Sequence, residues 1–446
     1  MLQCGFARKE ITPPLGTPIV GYYEPRFSKG TIDPIYARAL AFDDGDMQAV
    51  VIAVDLCLLS EVFCNDVRKR IAEFCKMDEK AVFISCSHTH TGPLTGKDFA
   101  SNTETDAFYI ESLKVAMRDV AAMALADRKS SRLFTATTKA EGISYIRRYR
   151  MKDGSTRTNP APMDPNIDYP LGIPNEEVRL LKIVREAGND IFVVNYGTHA
   201  DTVGGEYICP DYPGYVCDTL ERALPGTQCM FLLGPQGDVN HLDATRESYG
   251  KVLSEKCDAD PKGRALHAKY MGHVIAGGVL AVCDRAKEIV ADGIAFGSLE
   301  MEFPSNQEND KLEEAKRINE LYLSGRADEL PETGMGLTTM IAEARRIVRL
   351  EHGPSSYKFN VYAIKVGDFV FAGCPGEPFT EIARRIYESS PFEHTMLCCL
   401  VNASCGYVAT SKAYEEGGYE AKTSNYKAGA DDIMVNSMCQ LLRELR

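Results

Sequence analysis

The sequence predicts an α/β or mixed α/β fold with a large core. Three observations carry that prediction. Short β-branched apolar runs recur along the chain, stretches with helical spacing separate them, and neither repeats nor low-complexity tracts break the alternation. Residues 48–56 (QAVVIAVDL) read as a buried strand behind an Asp-Gly-Asp turn. Residues 60–75 follow as a helix, with Ser60 as its cap and Val62, Val67, Ile71 and Phe74 on the helical spacing. Residues 81–87 (AVFISCS) form a second strand and 106–128 a long helix. Strand-like runs recur over 132–138, 178–184, 190–197 and 228–233, and helical stretches over 212–224 and 263–286.

Residues 309–352 read as two amphipathic helices joined through Leu330-Pro331-Glu332-Thr333-Gly334, an inserted helical hairpin. Residues 357–373 are two antiparallel strands turned at Val366-Gly367-Asp368. A helix over 378–389, a strand over 394–401 and a terminal helix from Asp431 complete the chain. Nothing reads as a flexible linker, so the expected organisation is a single domain over 1–446 with the hairpin inserted at about 309–352.

Composition narrows the function. The 446 residues carry 50 Lys+Arg against 63 Asp+Glu, a net charge of -13, which argues against a nucleic-acid partner or an anionic membrane surface. No apolar run approaches the roughly 18 residues of a spanning helix, and no signal peptide precedes Lys9-Glu10-Ile11-Thr12-Pro13-Pro14, so no integral membrane segment is expected. The 15 cysteines are scattered without a C-x-x-C pair. That usage suits reduced thiols in a cytoplasmic protein better than a disulfide framework or a structural zinc knot. A small-molecule substrate is the partner this leaves; oligomeric state is not set by the sequence.

Chemistry concentrates where strands run out. His88 and His90 stand in Ser87-His88-Thr89-His90-Thr91-Gly92-Pro93; if the backbone stays extended, both point to one face. His199 ends another apolar run, Val193-Val194-Asn195-Tyr196-Gly197-Thr198-His199. A lone histidine there would read as a capping or core residue; three at equivalent strand ends favour a metal site. Glu377, in Gly373-Cys374-Pro375-Gly376-Glu377-Pro378, reads alone as a helix-dipole partner, but it completes a two-His, one-carboxylate set. Gly234-Pro235-Gln236-Gly237-Asp238-Val239-Asn240-His241 is a Gly-rich turn without the Gly-Lys-Ser/Thr of a phosphate loop. There is no Gly-x-Ser-x-Gly nucleophile elbow. His241 is an outside candidate for the site; His267, His273, His352 and His394 read as structural.

Taken in order, these segments resemble the catalytic domain of the neutral ceramidase family, zinc-dependent amide hydrolases acting on N-acyl sphingoid bases, a resemblance that implies an α/β fold of central β-sheets flanked by α-helices. The stretch Ile11-Thr12-Pro13-Pro14 to Gly21-Tyr22-Tyr23 is similar to that family's first strand and loop. The resemblance implies a Zn2+ ion held by His88, His199, Glu377 and Tyr407 (in Gly406-Tyr407-Val408), with His90 catalytic. It also implies a second active-site tyrosine at Tyr419 and a substrate-facing arginine at Arg147, with Arg148 adjacent. One departure matters: the family's Gly-Asp-Val-Ser-Pro-Asn turn is here Gly237-Asp238-Val239-Asn240-His241-Leu242, so its serine is Asn240.

The implied chemistry is hydrolysis of an amide (N-acyl) bond by a metal-activated water, which needs no serine. His90 would shuttle the proton, Tyr419 and Arg147 would stabilise the oxyanion, Asn240 would donate a hydrogen bond, and Asp238 would orient a ligand histidine. A soluble N-acyl compound suits this acidic chain better than membrane ceramide. Two alternatives stay open: an esterase using the same metal water, and a metal-retaining binding protein without catalysis.

Overall fold

Residues 48–56 are apolar without alternation because their strand is covered on both faces. In the computed structural model, which describes residues 1–96, 105–247, 263–307 and 310–446, strand Gln48–Val54 sends Val50, Ile52 and Val54 into one core and Ala49, Val51 and Ala53 into another. It belongs to a nine-stranded sheet. In spatial order the path runs Thr227–Leu233, Asp190–Tyr196, Glu177–Arg185, Lys129–Lys139, Gln3–Glu10, Tyr36–Asp43, Gln48–Val54, Val82–Cys86, with Lys287–Ile289 paired to Lys129–Lys139. The two ends of this row are parallel pairs and its middle is antiparallel. A four-stranded sheet, Ile294–Pro304, Ser356–Val366, Phe369–Gly373 and His394–Cys398, packs face to face on the first through Leu40, Phe42, Phe83, Leu181, Ile364, Phe371 and Met396.

Helices close both outer faces. Glu61–Cys75, Ala107–Ala126, Asp211–Ala223 and Leu266–Val282 cover the large sheet, and Thr380–Ser389 and Ala430–Glu444 the small one. The result is a helix–sheet–sheet–helix α/β sandwich, as the alternation predicted. Ser60 caps its helix by accepting from the Phe63 N–H. The buried stripe of that helix is Phe63, Cys64, Val67, Arg68 and Ile71, however, and Val62 (81% exposed) and Phe74 (59%) face outward, correcting the expected stripe. Strand Gln3–Glu10 had no readable signal because helix Ala107–Ala126 crosses it closely: a Cβ on Gly5 would stand 2.0 Å from the Ala124 carbonyl oxygen, so small residues replace the usual β-branched ones.

The segment Gly263–Arg285 is, by length and composition, long and apolar enough to cross a membrane, which corrects the expectation that no such stretch exists. Its Ala268, Met271, Ile275, Ala276 and Val279 pack into the main core. The helical hairpin consists of Leu312–Leu323 and Gly334–Leu350; Asn309, where the sequence starts it, lies outside the described residues. It has a small core of its own around Ile318, Ile341 and Ile347, against which Tyr23 packs. The described cysteines are all free thiols.

Two sheets packed this way bring several strand ends to one place. Val82–Cys86, Asp190–Tyr196, Thr227–Leu233, Phe369–Gly373 and His394–Cys398 are tied there by Asn195 Nδ2 donating to the Leu232 and Leu397 carbonyls. The Cys399 N–H reaches the Leu233 carbonyl, and Ser85 bridges to Val401.

Candidate metal centre

His88 leaves its strand in a left-handed conformation, φ 65°, held by its N–H donating to the Leu56 carbonyl at 2.9 Å. The extended backbone expected for 87–91 is therefore absent. His88 and His90 still converge, with their Nε2 atoms 3.2 Å apart, but a backbone kink achieves it rather than strand alternation. His88 Nδ1 lies 2.9 Å from the Cys57 carbonyl oxygen, and His199 Nδ1 lies 3.0 Å from that of Gln236. A carbonyl only accepts, so each Nδ1 carries the hydrogen and each Nε2 is left with a lone pair.

Both lone pairs aim at Glu377. Its Oε2 is 3.3 Å from His88 Nε2 and 3.4 Å from His199 Nε2. The two-residue strand Glu377–Pro378 pairs in parallel with Tyr407–Val408 and sets Tyr407 beside Glu377, with its Oη 3.3 Å from His199 Nε2. Gln236 Nε2 donates to Glu377 Oε2 at 3.1 Å. His88, His199 and Glu377 are each buried, and their ligand atoms lie within 4.8 Å of one another. Two lone-pair nitrogens and a carboxylate facing one point, each ring braced from behind, is the donor set a divalent cation requires. The residues fit the metal the resemblance implies. Cys57, His88 and His90 also cluster, but His88 Nδ1 is there committed to the Cys57 carbonyl, which favours the His88–His199–Glu377 set.

The electrostatics ask for a positive charge. Burial resists ionisation of Glu377, yet His88 holds its carboxyl well below the usual range. Burial resists a charge on His88 too, but Cys57 and Glu377 raise its proton affinity well above the ordinary value, so with no cation bound Nε2 holds a proton that a metal would displace. His90 is pushed by burial, and then by His88, down to about 3, so it is a neutral base. Burial and Glu377 raise the Tyr407 hydroxyl well above its usual value, with Arg147 opposing. Gly21, at φ +121°, lets the His90 ring approach: a Cβ there would meet it at 2.8 Å.

Arg147 and Arg148 part company. Arg147 Nε donates to Glu420 Oε1 at 2.6 Å and Nη2 to the Gly237 carbonyl at 3.0 Å, with the guanidinium 5.3 Å from the Tyr407 ring centre. Arg148 turns away toward Glu416, Gly417 and Phe379. The Tyr419 ring stands 5.7 Å from that of Tyr407, and its hydroxyl is 3.5 Å from that of Tyr23.

One expected role fails on geometry. Asp238 touches no ligand histidine: it accepts from the Thr380 N–H at 2.8 Å and hydroxyl at 3.0 Å, capping helix Thr380–Ser389, while backbone carbonyls orient the histidines. Asn240 donates one amide hydrogen to Asn159 Oδ1 at 2.6 Å and accepts from the Leu242 N–H. Sequence reading missed Gln236 and the Cys57 carbonyl as braces, Tyr22 packed edge-on to His90 at 5.4 Å, and Asp201 bonded to His241. Gln236, beside Gly237 in the turn already singled out, and Tyr22, in the Gly21-Tyr22-Tyr23 stretch, stood in segments the sequence had marked. His273 is exposed, His352 is 89% exposed, and His394 bonds Thr135, all away from the cluster.

No family model matches this sequence, and no curated protein does. Solved structures do. A crystal structure of neutral ceramidase from Pseudomonas aeruginosa superposes with a TM-score of 0.72 at 17% identity, over 100% of this chain and 75% of that one. The chain has the neutral ceramidase fold. A ceramidase complexed with C2 matches likewise, with a TM-score of 0.72 at 15% identity, over 99% of this chain and 75% of that one. Both likenesses span the two-sheet sandwich.

Proposed function

We propose that this chain is a zinc-dependent hydrolase that cleaves the amide bond of a soluble N-acyl compound. One observation carries the reading: His88, His199 and Glu377 turn two braced lone pairs and a carboxylate on a single buried point. The likeness to ceramidase structures supports amide cleavage over other hydrolytic chemistry. His88, His199 and Glu377, with Tyr407 alongside, would hold a zinc ion, which would supply a Lewis acid able to lower the pKa of a bound water to about 7. His90, neutral and 3.2 Å from His88, takes a proton at Nε2 and returns it to the leaving amine. Arg147 keeps a positive charge beside Tyr407, and Tyr419 offers a hydroxyl, both suited to an oxyanion. Tyr22 packs edge-on to His90, and the Tyr23 hydroxyl stands 3.5 Å from that of Tyr419.

The test is amine release from a panel of N-acyl compounds, with zinc, with chelator, and after zinc is restored. The reading expects chelator-reversible cleavage of amides. Ester cleavage without amide cleavage would replace it with the esterase alternative, and stoichiometric zinc without turnover with the binding-protein alternative.

A further inference from the structure

Glu420 has no part in that mechanism, yet it is fully buried against Arg147. Its Oε1 accepts from Arg147 Nε at 2.6 Å, and its Oε2 accepts from the Thr158 hydroxyl at 2.8 Å, with Arg148 Nε at 3.8 Å. Taking both charges out of water costs about what their attraction returns, so a buried pair is weak evidence of a contribution to stability. Its effect on Arg147 is more specific. A guanidinium is planar, and its N–H directions are fixed relative to one another. Arg147 is held at two corners, Nε by Glu420 and Nη2 by the Gly237 carbonyl at 3.0 Å. Two anchored corners set the plane, and with it the direction of every N–H that remains.

The carboxylate is itself fixed. Thr158 Oγ1 also accepts the Tyr419 N–H at 3.1 Å, so one hydroxyl ties down both residues at the start of helix Tyr419–Thr423. Charge balances locally, with Arg147 and Arg148 facing Glu420 and Glu416. The cluster therefore adds no net charge beside the metal centre, and the part left to Glu420 is geometric. We infer that Glu420 is a positioning residue, which holds the Arg147 guanidinium in the one orientation from which it serves the oxyanion. The cost of ordering a long, flexible arginine is then met in the folded protein rather than at the transition state. The inference rests on the amide-hydrolase reading and adds the residue that prepares its oxyanion site.

Calorimetric titration of the zinc-loaded protein with butyl methylphosphonate, a stable tetrahedral anion, and N-butylacetamide, an uncharged planar amide, tests it. Arg147→Met should weaken the phosphonate about 100-fold and the amide less than about threefold. Glu420→Asp keeps the charge but withdraws it by a methylene, and should weaken the phosphonate about 30-fold. Glu420→Gln keeps an acceptor in place without the charge, and should weaken it no more than about fivefold. In the charge-balanced double variant Arg147→Met/Glu420→Gln the loss should equal that of Arg147→Met, because the brace has nothing left to hold. This last comparison decides the matter where a single Glu420 variant fails to fold. Zinc stoichiometry should stay at one throughout. Glu420→Asp without effect, tighter phosphonate binding by Glu420→Gln, a double variant weaker than Arg147→Met, or a parent that binds no phosphonate overturns the inference. Amine release is read separately. Its absence with these affinities as expected would fault the hydrolase reading and leave Glu420 as the brace of Arg147.

Discussion

Two pairs of histidines in this chain are built oppositely. His88 and His199 each have Nδ1 bonded to a backbone carbonyl, so the tautomer is set and Nε2 is aimed. His241 and His267 have no such backing: one leans on Asp201, and the other has both nitrogens empty. The difference teaches that bracing, more than proximity, identifies a ligand. A carbonyl behind the ring fixes which nitrogen is free and where it points, which a metal needs.

The largest effect expected from this contrast is at the shared carboxylate. Glu377→Ala should lower zinc affinity by more than about 100-fold, beyond the loss typical of outer partners, and abolish turnover, as read by competition with a chromogenic chelator. Retention of stoichiometric zinc would remove Glu377 from the ligand set.

Next in size is the unbraced pair's response to acid. Burial lowers His267 to about 3, so in the folded state it binds fewer protons than the unfolded chain between that value and about 6.5. Relative to neutral pH the ring therefore costs stability as pH falls below about 6.5, the loss reaching about 3 kcal/mol at pH 4. His267→Leu should be more stable than the parent at neutral pH, with an advantage that widens in acid. Urea unfolding at pH 7.5 and 4.5 measures this, and an advantage that shrinks in acid would contradict the neutral, unpaired ring.

A brace should matter less than a ligand. Gln236→Ala removes the side-chain bond to Glu377 but keeps the carbonyl that holds His199, so zinc affinity should fall only about tenfold. A loss equal to that of Glu377→Ala would mean that Gln236 organises the whole site. Smallest is Tyr407→Phe: a hydroxyl held protonated by burial and Glu377 is a weak ligand, so zinc binding should weaken less than about tenfold. A loss above 100-fold, roughly what a ligand gives, would show that the metal ionises Tyr407.

Much of this was legible in the sequence. Strands buried on both faces, such as Val82–Cys86 and Asp190–Tyr196, announce themselves as unbroken apolar runs, and the histidines that follow them stand out because strand ends in α/β folds gather ligands. Gln3–Glu10 was hidden because a helix presses on Gly5, and Ile294–Pro304 because its polar alternation resembles loop. The braces were hidden for a different reason: carbonyls of Cys57 and Gln236 have no side-chain signature. Asp238 misled because a carboxylate near a candidate ligand reads as its support, whereas here it caps the helix that follows Glu377.

The measurement that bears most directly on the central claim is anomalous diffraction at the zinc edge from crystals of the zinc-loaded protein. The account predicts one strong peak within about 2.0–2.2 Å of His88 Nε2, His199 Nε2 and a Glu377 oxygen. A peak on Cys57 and His90 instead, or none at saturating zinc, would contradict it.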